Sequence, residues 1–344
     1  MIHYLCLIII LCALMLSIAI LTQEANIEHF STWPITEYTW VYSLASIADT
    51  GLSEPDIFKT NSVDTQYHNI HKISHGIIWT RPDGVDHIVS LLPQIEHVII
   101  IISDSDTSIS EIQQINVLLN SQKVYHIFAQ NCDISHDKIT KIPIGIDYHT
   151  LAYRQHARPY WSSKSMTPYE QEKVLTDLIT IAPATNNRKI RIFVDFNIND
   201  SMRPSFSNES RTAIFKRILP SGVVDYAPGR TTRINIWNTK IQYAFSVSPH
   251  GWGLDCHRTW EDLALGCIVI VKTSKLDDLY DGLPVVIIRD WSEITQQNLE
   301  QWLLVFGDVL HNPAYRIKLK TNYWHDKIRE KQNHIRTILS SSNT

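Results

Sequence analysis

"SPHGWGLDCHRTWEDLALGCIVIV", Ser248 to Val271, sets two glycines, a proline, two histidines, an arginine and a glutamate ahead of an apolar run. The stretch from about Leu254 to Leu265 has helical spacing. "CIVIV" is a short continuous apolar run of the kind buried on both faces of a parallel sheet. Upstream, "YAFSVSP" reads as another such strand. Strand, glycine loop, helix and strand together make the repeating unit of an open α/β sheet. Ligands settle outside the carboxyl ends of the strands in these sheets, and a helix N-terminus turns unpaired N–H groups toward anions. Gly251 and Gly253, in the loop from Pro249 to Gly253, would let the backbone approach a phosphate, and Arg258 could clamp one bidentately. Glu261, three residues after Arg258, shares its helix face and suits hydroxyl partners. His250 and His257 are further candidates for phosphate contact. The competing account is an ordinary turn, a surface Arg258–Glu261 pair and a core Trp260, and composition alone does not separate the two.

Outward from this segment the same logic repeats. "EHVIIIISDSD" is an apolar strand from His97 to Ile102 with a polar end, followed by a helix-like "SISEIQQINVLLN" for which Ser110 is the expected cap. "KVYHIFAQN" and "KITKIPIGID" are further strands, the latter ending in Gly145 and Asp147. Composition changes between about Tyr153 and Asn187, and the pattern then restarts with "KIRIFVDF", "NESRTAIFKRIL", "GVVDYAP", "LPVVIIRDW" and the helix "SEITQQNLEQWLLVF". The expected organisation is an N-terminal anchor over residues 1–23, a first Rossmann-like unit over 24–165, a second over 166–312, and an amphipathic helix over 313–344. The two α/β units would face one another across a cleft.

A chain of 344 residues and 39.7 kDa is long for one core. Its net charge of -4, without a long Lys/Arg run, excludes the electrostatic footprint of a nucleic-acid binder. "YLCLIIILCALMLSIAILT", Tyr4 to Thr22, is 19 uncharged residues, about 28 Å as a helix. A cleaved signal peptide is the alternative, but the run is long, lacks a basic start, and has no good small-residue cleavage site. An uncleaved, single-pass membrane anchor is therefore expected. No Lys or Arg precedes Lys59, so charge does not set the orientation; a lumenal catalytic portion, in the Golgi or endoplasmic reticulum of a eukaryote, is the expectation. Outside the anchor Cys132, Cys256 and Cys267 show no metal-binding spacing. Asn199 and Asn208 lie in N-x-S sequons.

From Phe245 to Thr295 the chain resembles the donor-binding half of exostosin-type glycosyltransferases and related viral and algal sugar transferases. Phe245, Pro249, Gly251, Arg258, Glu261, Gly266, Cys267, Leu283, Pro284 and Trp291 match that family's pattern in order, while Val269 stands where it usually has proline. "IISDSDTSI" and "FAQNCDISHDKITKIPIGID" are similar, more weakly, to the first domain of the same relatives. The resemblance touches about 100 residues and implies a GT-B architecture with a nucleotide-sugar donor, expected to be a UDP-sugar, held by the second unit. It implies that Arg258 neutralises the departing diphosphate, that Glu261 binds ribose or donor sugar, and that the acceptor is a glycan or glycoprotein.

On the acceptor side an inverting transfer needs a general base. Asp106 is the first choice, with Asp104, Asp147 and His75 behind it. Asp104 and Asp106 also form a D-x-D after a strand, the pattern by which a metal-dependent (GT-A-type) transferase chelates Mg²⁺ or Mn²⁺. The two-unit reading expects no required metal. Arg230 and Arg233 are expected to be solvated near a helix start, and the basic tail helix to pack across the two units, with membrane contact as its alternative. The rival from another class is a catalytically silent carbohydrate-binding or structural membrane protein.

Overall fold

The structure, a computed structural model, describes residues 36–51, 75–198, 210–226, 229–311 and 313–342. The apolar segment 4–22 and both sequons lie outside them. Among the described residues no helix is long and apolar enough to cross a membrane.

Two parallel five-stranded sheets organise these residues. The first half opens on α1 (Val41–Ala45) and carries β1 (Thr50–Gly51), β2 (Ile77–Thr80), α2 (Val85–Leu91), β3 (Val98–Ile102), α3 (Ile115–Asn120), β4 (Val124–Ala129), β5 (Ile139–Lys141) and α4 (His149–Tyr153). Its strands lie in sequence order, each parallel to its neighbour. All five residues of β3 are buried. An apolar run without alternation is what a strand covered on both faces requires.

The expected helix after β3 is shorter than its pattern suggested. Ser110 turns aside to donate its backbone N–H to Asp133 Oδ1 at 2.9 Å. A 3₁₀ turn at Ile109–Glu111 replaces the first part, with Glu111 accepting from the Ser108 N–H, and α3 begins only at Ile115. The side-chain bond that was to cap a long helix is used to fasten a loop.

The second half runs through α5 (Pro168–Ile181), β6 (Lys189–Val194), α6 (Arg211–Ile218), β7 (Val224–Tyr226), α7 (Arg233–Lys240), β8 (Tyr243–Val247), α8 (His257–Ala264), β9 (Ile268–Lys272), β10 (Val285–Ile288) and α9 (Gln296–His311). Its strand order is β7-β6-β8-β9-β10. The order therefore reverses between β6 and β8, which makes a crevice at their carboxyl ends, the place where doubly wound sheets bind ligands. Alternation in β9 sends Val269 and Val271 into one apolar core and Ile268 and Ile270 into the other. The first of these cores is continuous with the interior of the first half, so the two sheets are buttressed by shared packing.

Two helices cross back to the first half. On α5, Leu175 and Leu178 join the first core, and Glu172 accepts backbone N–H bonds from Glu37 and Tyr38. The final helix, α10 (Thr321–Ser342), buries Trp324, Ile328 and Ile335 in the same core. His325 Nε2 lies 2.7 Å from the Ser43 carbonyl, fixing α10 against α1.

Candidate functional site

A cleft of about 430 Å³ opens where the strands of the first sheet end. Arg81 follows β2, Asp104 to Thr107 follow β3, Gln130 follows β4 and Ile144 follows β5; α4 adds His149. His257, the first residue of α8, completes the wall from the second half. Asp104 has a positive φ of 58° and donates its N–H to Gln130 Oε1 at 3.1 Å. Aspartate tolerates this left-handed conformation, and the bond locks the carboxylate over the cleft. Burial pushes the Asp104 carboxyl up to about 6, against the pull of Arg81, whose Nη1 is 3.5 Å away, and of Arg154 and His257. Asp106 lies on the rim, exposed. His75 belongs to the other end of the first sheet, before β2, where it stacks on His97. It has no part in the cleft.

The charges of α8, which spacing placed on one face, are divided among different partners. Arg258 Nε donates to Asp195 Oδ1 at 2.6 Å, at the end of β6 and so at the β6/β8 crevice. Asp195 also meets Lys240 at 2.8 Å, and Lys240 meets Asp262 at 2.5 Å. Burial opposes the charge on Asp195, but Arg258 and Lys240 overcome it and hold the carboxyl at about 2. The same exchange pushes Lys240 up to about 12, where Asp195 and Asp262 outweigh its burial.

Glu261 does not face an open hydroxyl site. It is 9% exposed, paired with Arg233 at 2.5 Å, and accepts from Trp237 Nε1 at 3.1 Å and from the Asp147 N–H at 3.3 Å. Arg233 is correspondingly 2% exposed rather than solvated. The reason is that α7 packs against α8, and a buried carboxylate needs a cation and hydrogen bonds to stay charged.

The glycine loop is also differently used. A Cβ on Gly251 would stand 2.8 Å from Arg211 Nη2, and one on Gly253 2.8 Å from Asn131 Nδ2. The glycines thus admit side chains of the protein where a phosphate was expected. Asn131 Oδ1 in turn accepts the Asp255 N–H at 2.7 Å, tying the loop to the first half. His250 is buried, with Nδ1 3.0 Å from the Leu254 carbonyl, and burial lowers its pKa, so it packs inside the loop rather than facing the cleft. Pro249 is buried too, its carbonyl accepting from Cys256 Sγ. Trp252 between the glycines is 52% exposed.

His257 keeps its place in the cleft, with Nδ1 2.7 Å from the Gly145 carbonyl. Asp147 is buried, its carboxylate accepting from the Thr150 N–H at 2.9 Å and the Thr150 hydroxyl at 2.8 Å. Burial would raise its pKa, yet the charges of His149, His257 and Arg233 and the Thr150 N–H set it well below the usual carboxylate range. Asp147 is therefore too weak a base for proton abstraction. Among the described residues Asp147, His149 and His257 bring one ligand atom each within 4.8 Å of one another. The D-x-D aspartates belong to no such trio there.

Four participants escaped the sequence reading: Arg81, Arg154, His149 and Asp195. Asp195 carried a signal like that of Asp104, an aspartate at the end of an apolar strand, in "KIRIFVDF". The other three sit in loops or a short helix whose pairing only the topology reveals.

No family model matches the chain, and no curated protein matches it. Solved structures similar to it include an alpha,alpha-trehalose-phosphate synthase (UDP-forming) from Burkholderia vietnamiensis, at 12% identity over 75% of this chain and 74% of that one, TM-score 0.39. An alpha,alpha-trehalose 6-phosphate synthase from Burkholderia multivorans gives 13% identity, 76% and 72% coverage and a TM-score of 0.41. Trehalose-6-phosphate from E. coli bound with UDP-2-fluoro glucose gives 10%, 77% and 72%, and 0.34. At these values the likeness is remote, and neither a fold family nor an activity follows from it for this chain.

Proposed function

We propose that the protein is a glycosyltransferase of the GT-B type, moving a sugar from a nucleotide-sugar donor, a UDP-sugar by preference, to a hydroxyl of a glycan or glycoprotein. One observation carries this reading: the carboxyl ends of the first parallel sheet open on a charged cleft whose wall is completed by the start of α8, beside the β6/β8 crevice of a second parallel sheet. Facing sheet ends of this kind suit a reaction with two substrates, one held by each half. The ordered match from Phe245 to Trp291 supports the assignment of the donor to the second half.

The donor diphosphate would lie at the β6/β8 crevice. Arg258, whose side chain keeps 15% of its surface exposed, would share its charge between Asp195 and the diphosphate as negative charge develops on the leaving group. Asp195 keeps that guanidinium fixed beforehand, so little reorganisation is needed. Across the cleft Asp104 replaces Asp106 as the group that accepts the acceptor proton. A carboxylate with a pKa near 6 is a better base than an ordinary one and is still ionised at neutral pH. Glu261 and Arg233 have a positioning role, holding α7, α8 and the Asp147 backbone together. The segment 4–22 would keep this catalytic portion at a membrane, on the lumenal side.

The test is nucleotide release by the full chain, incubated in detergent with a panel of nucleotide sugars and glycan acceptors. Release from at least one donor, lost in Arg258→Ala, is expected. If no donor in the panel is bound or cleaved, the proposal fails and the silent-protein account replaces it.

A further inference from the structure

We propose that Asp147, His149 and His257 form a site for a divalent transition metal, zinc by its ligand set, which joins the two halves of the molecule at the cleft. The inference does not rest on the glycosyltransferase reading. Two ligands come from the first half, on the chain leading into α4, and the third begins α8 in the second half.

The geometry has three parts. First, the three ligand atoms lie within 4.8 Å of one another, and His149 Nδ1 is 3.1 Å from Asp147 Oδ1. Ligands about 2.0–2.2 Å from a tetrahedral zinc stand about 3.3 Å apart, so one pair already has the spacing and a small rotation of the imidazoles would supply the rest. Second, His149 Nδ1 is buried and has no hydrogen-bond partner among the described residues. A buried nitrogen facing a carboxylate without a bond between them is an unfavourable arrangement that a shared cation relieves. Third, His257 Nδ1 faces the Gly145 carbonyl at 2.7 Å. A carbonyl only accepts, so Nδ1 carries the proton and Nε2 presents its lone pair, the outer hydrogen bond that orients most metal-binding histidines.

The carboxylate is oriented in the same way, by the Thr150 N–H and hydroxyl. The cations facing the cluster are Arg154 and Arg233, and Arg233 is already committed to Glu261 and to the Asp147 and Gln171 oxygens. Two nitrogens and one oxygen favour zinc over magnesium or calcium, which prefer oxygen alone. With three protein ligands and a cleft of about 430 Å³ beside them, the fourth position is open.

Metal-stripped full chain titrated with Co²⁺ and Zn²⁺ tests the site without any assay of activity. The expected results are one metal per chain by elemental analysis, a visible Co²⁺ absorption of tetrahedral type, and a Tm raised by Zn²⁺. His149→Ala and His257→Ala, one from each half, should each weaken binding at least tenfold and abolish the Tm shift. Absence of stoichiometric binding to the wild type overturns the proposal. So does binding that both variants retain unchanged. The wild-type titration decides even where a variant fails to fold, and it is independent of whether any nucleotide sugar is turned over.

Discussion

Behind α8, Glu261 and Asp262 are buried against Arg233 and Lys240; in front of it, Asp104, Asp106 and His257 face the cleft with Arg81. The two regions are equally polar in the sequence. In the first, every charge is answered by a partner at 2.5–2.8 Å across an element boundary, so the ions hold α7 and α8 in place. In the second, the carboxylates keep contact with solvent and the Asp104–Arg81 separation is 3.5 Å. Paired buried charges contribute to a unique arrangement and are costly to disturb, whereas charges lining an open cleft can meet a substrate.

The largest expected effect tests the buried side. Glu261→Ala leaves Arg233 uncompensated and should cost about 3–5 kcal/mol, read as a fall in the urea midpoint. Glu261→Gln, whose amide oxygen can still accept from Arg233 and the Asp147 N–H while the Trp237 bond is lost, should cost less. A stable Glu261→Ala chain that has lost donor binding would break the contrast and return Glu261 to the ligand.

On the cleft side, Asp104→Asn should lower kcat/KM by about 10²–10⁴. In the wild type kcat/KM should rise with pH through about 6, since only the ionised carboxylate accepts a proton, and that limb should vanish in the variant. Stability should move the other way. A carboxyl raised from 3.8 to about 6 on folding costs stability as pH climbs through that window, so Asp104→Asn should be neutral or stabilising at pH 7. A smaller effect is expected at the seam. Gly253→Ala brings a Cβ to 2.8 Å from Asn131 and should cost about 1–3 kcal/mol. The least effect belongs to Asp106→Asn at the exposed rim, within about 0.5 kcal/mol in stability. A collapse of kcat/KM in that variant alone would move the base from Asp104 back to Asp106.

The fold was largely legible because buried parallel strands are apolar along their whole length. "VIIII" and "IVIVK" are such strands, and the restart at "KIRIFVDF" marks the second sheet. The site was legible only in part. Spacing put Arg258 and Glu261 on one face, but a helix packed between an interface and a sheet end sends neighbouring side chains to different partners, here Asp195 and Arg233. Glycine in a loop signals close approach without saying of what, and at Gly251 and Gly253 the approaching groups are Arg211 and Asn131. Asp195 was hidden because Lys240 and Arg258 lie in distant segments, and His149 because His257 does, which periodicity cannot report.

The most direct measurement is an equilibrium binding isotherm for nucleotide sugars on the full chain and on Arg258→Ala, whose Asp195 still has Lys240 as a partner. The account predicts that one nucleotide sugar binds saturably and that the variant weakens it by about 1.5–3 kcal/mol, the worth of a hydrogen bond to a charged group. Equal affinity in wild type and variant, or no saturable binding of any nucleotide sugar, would contradict it.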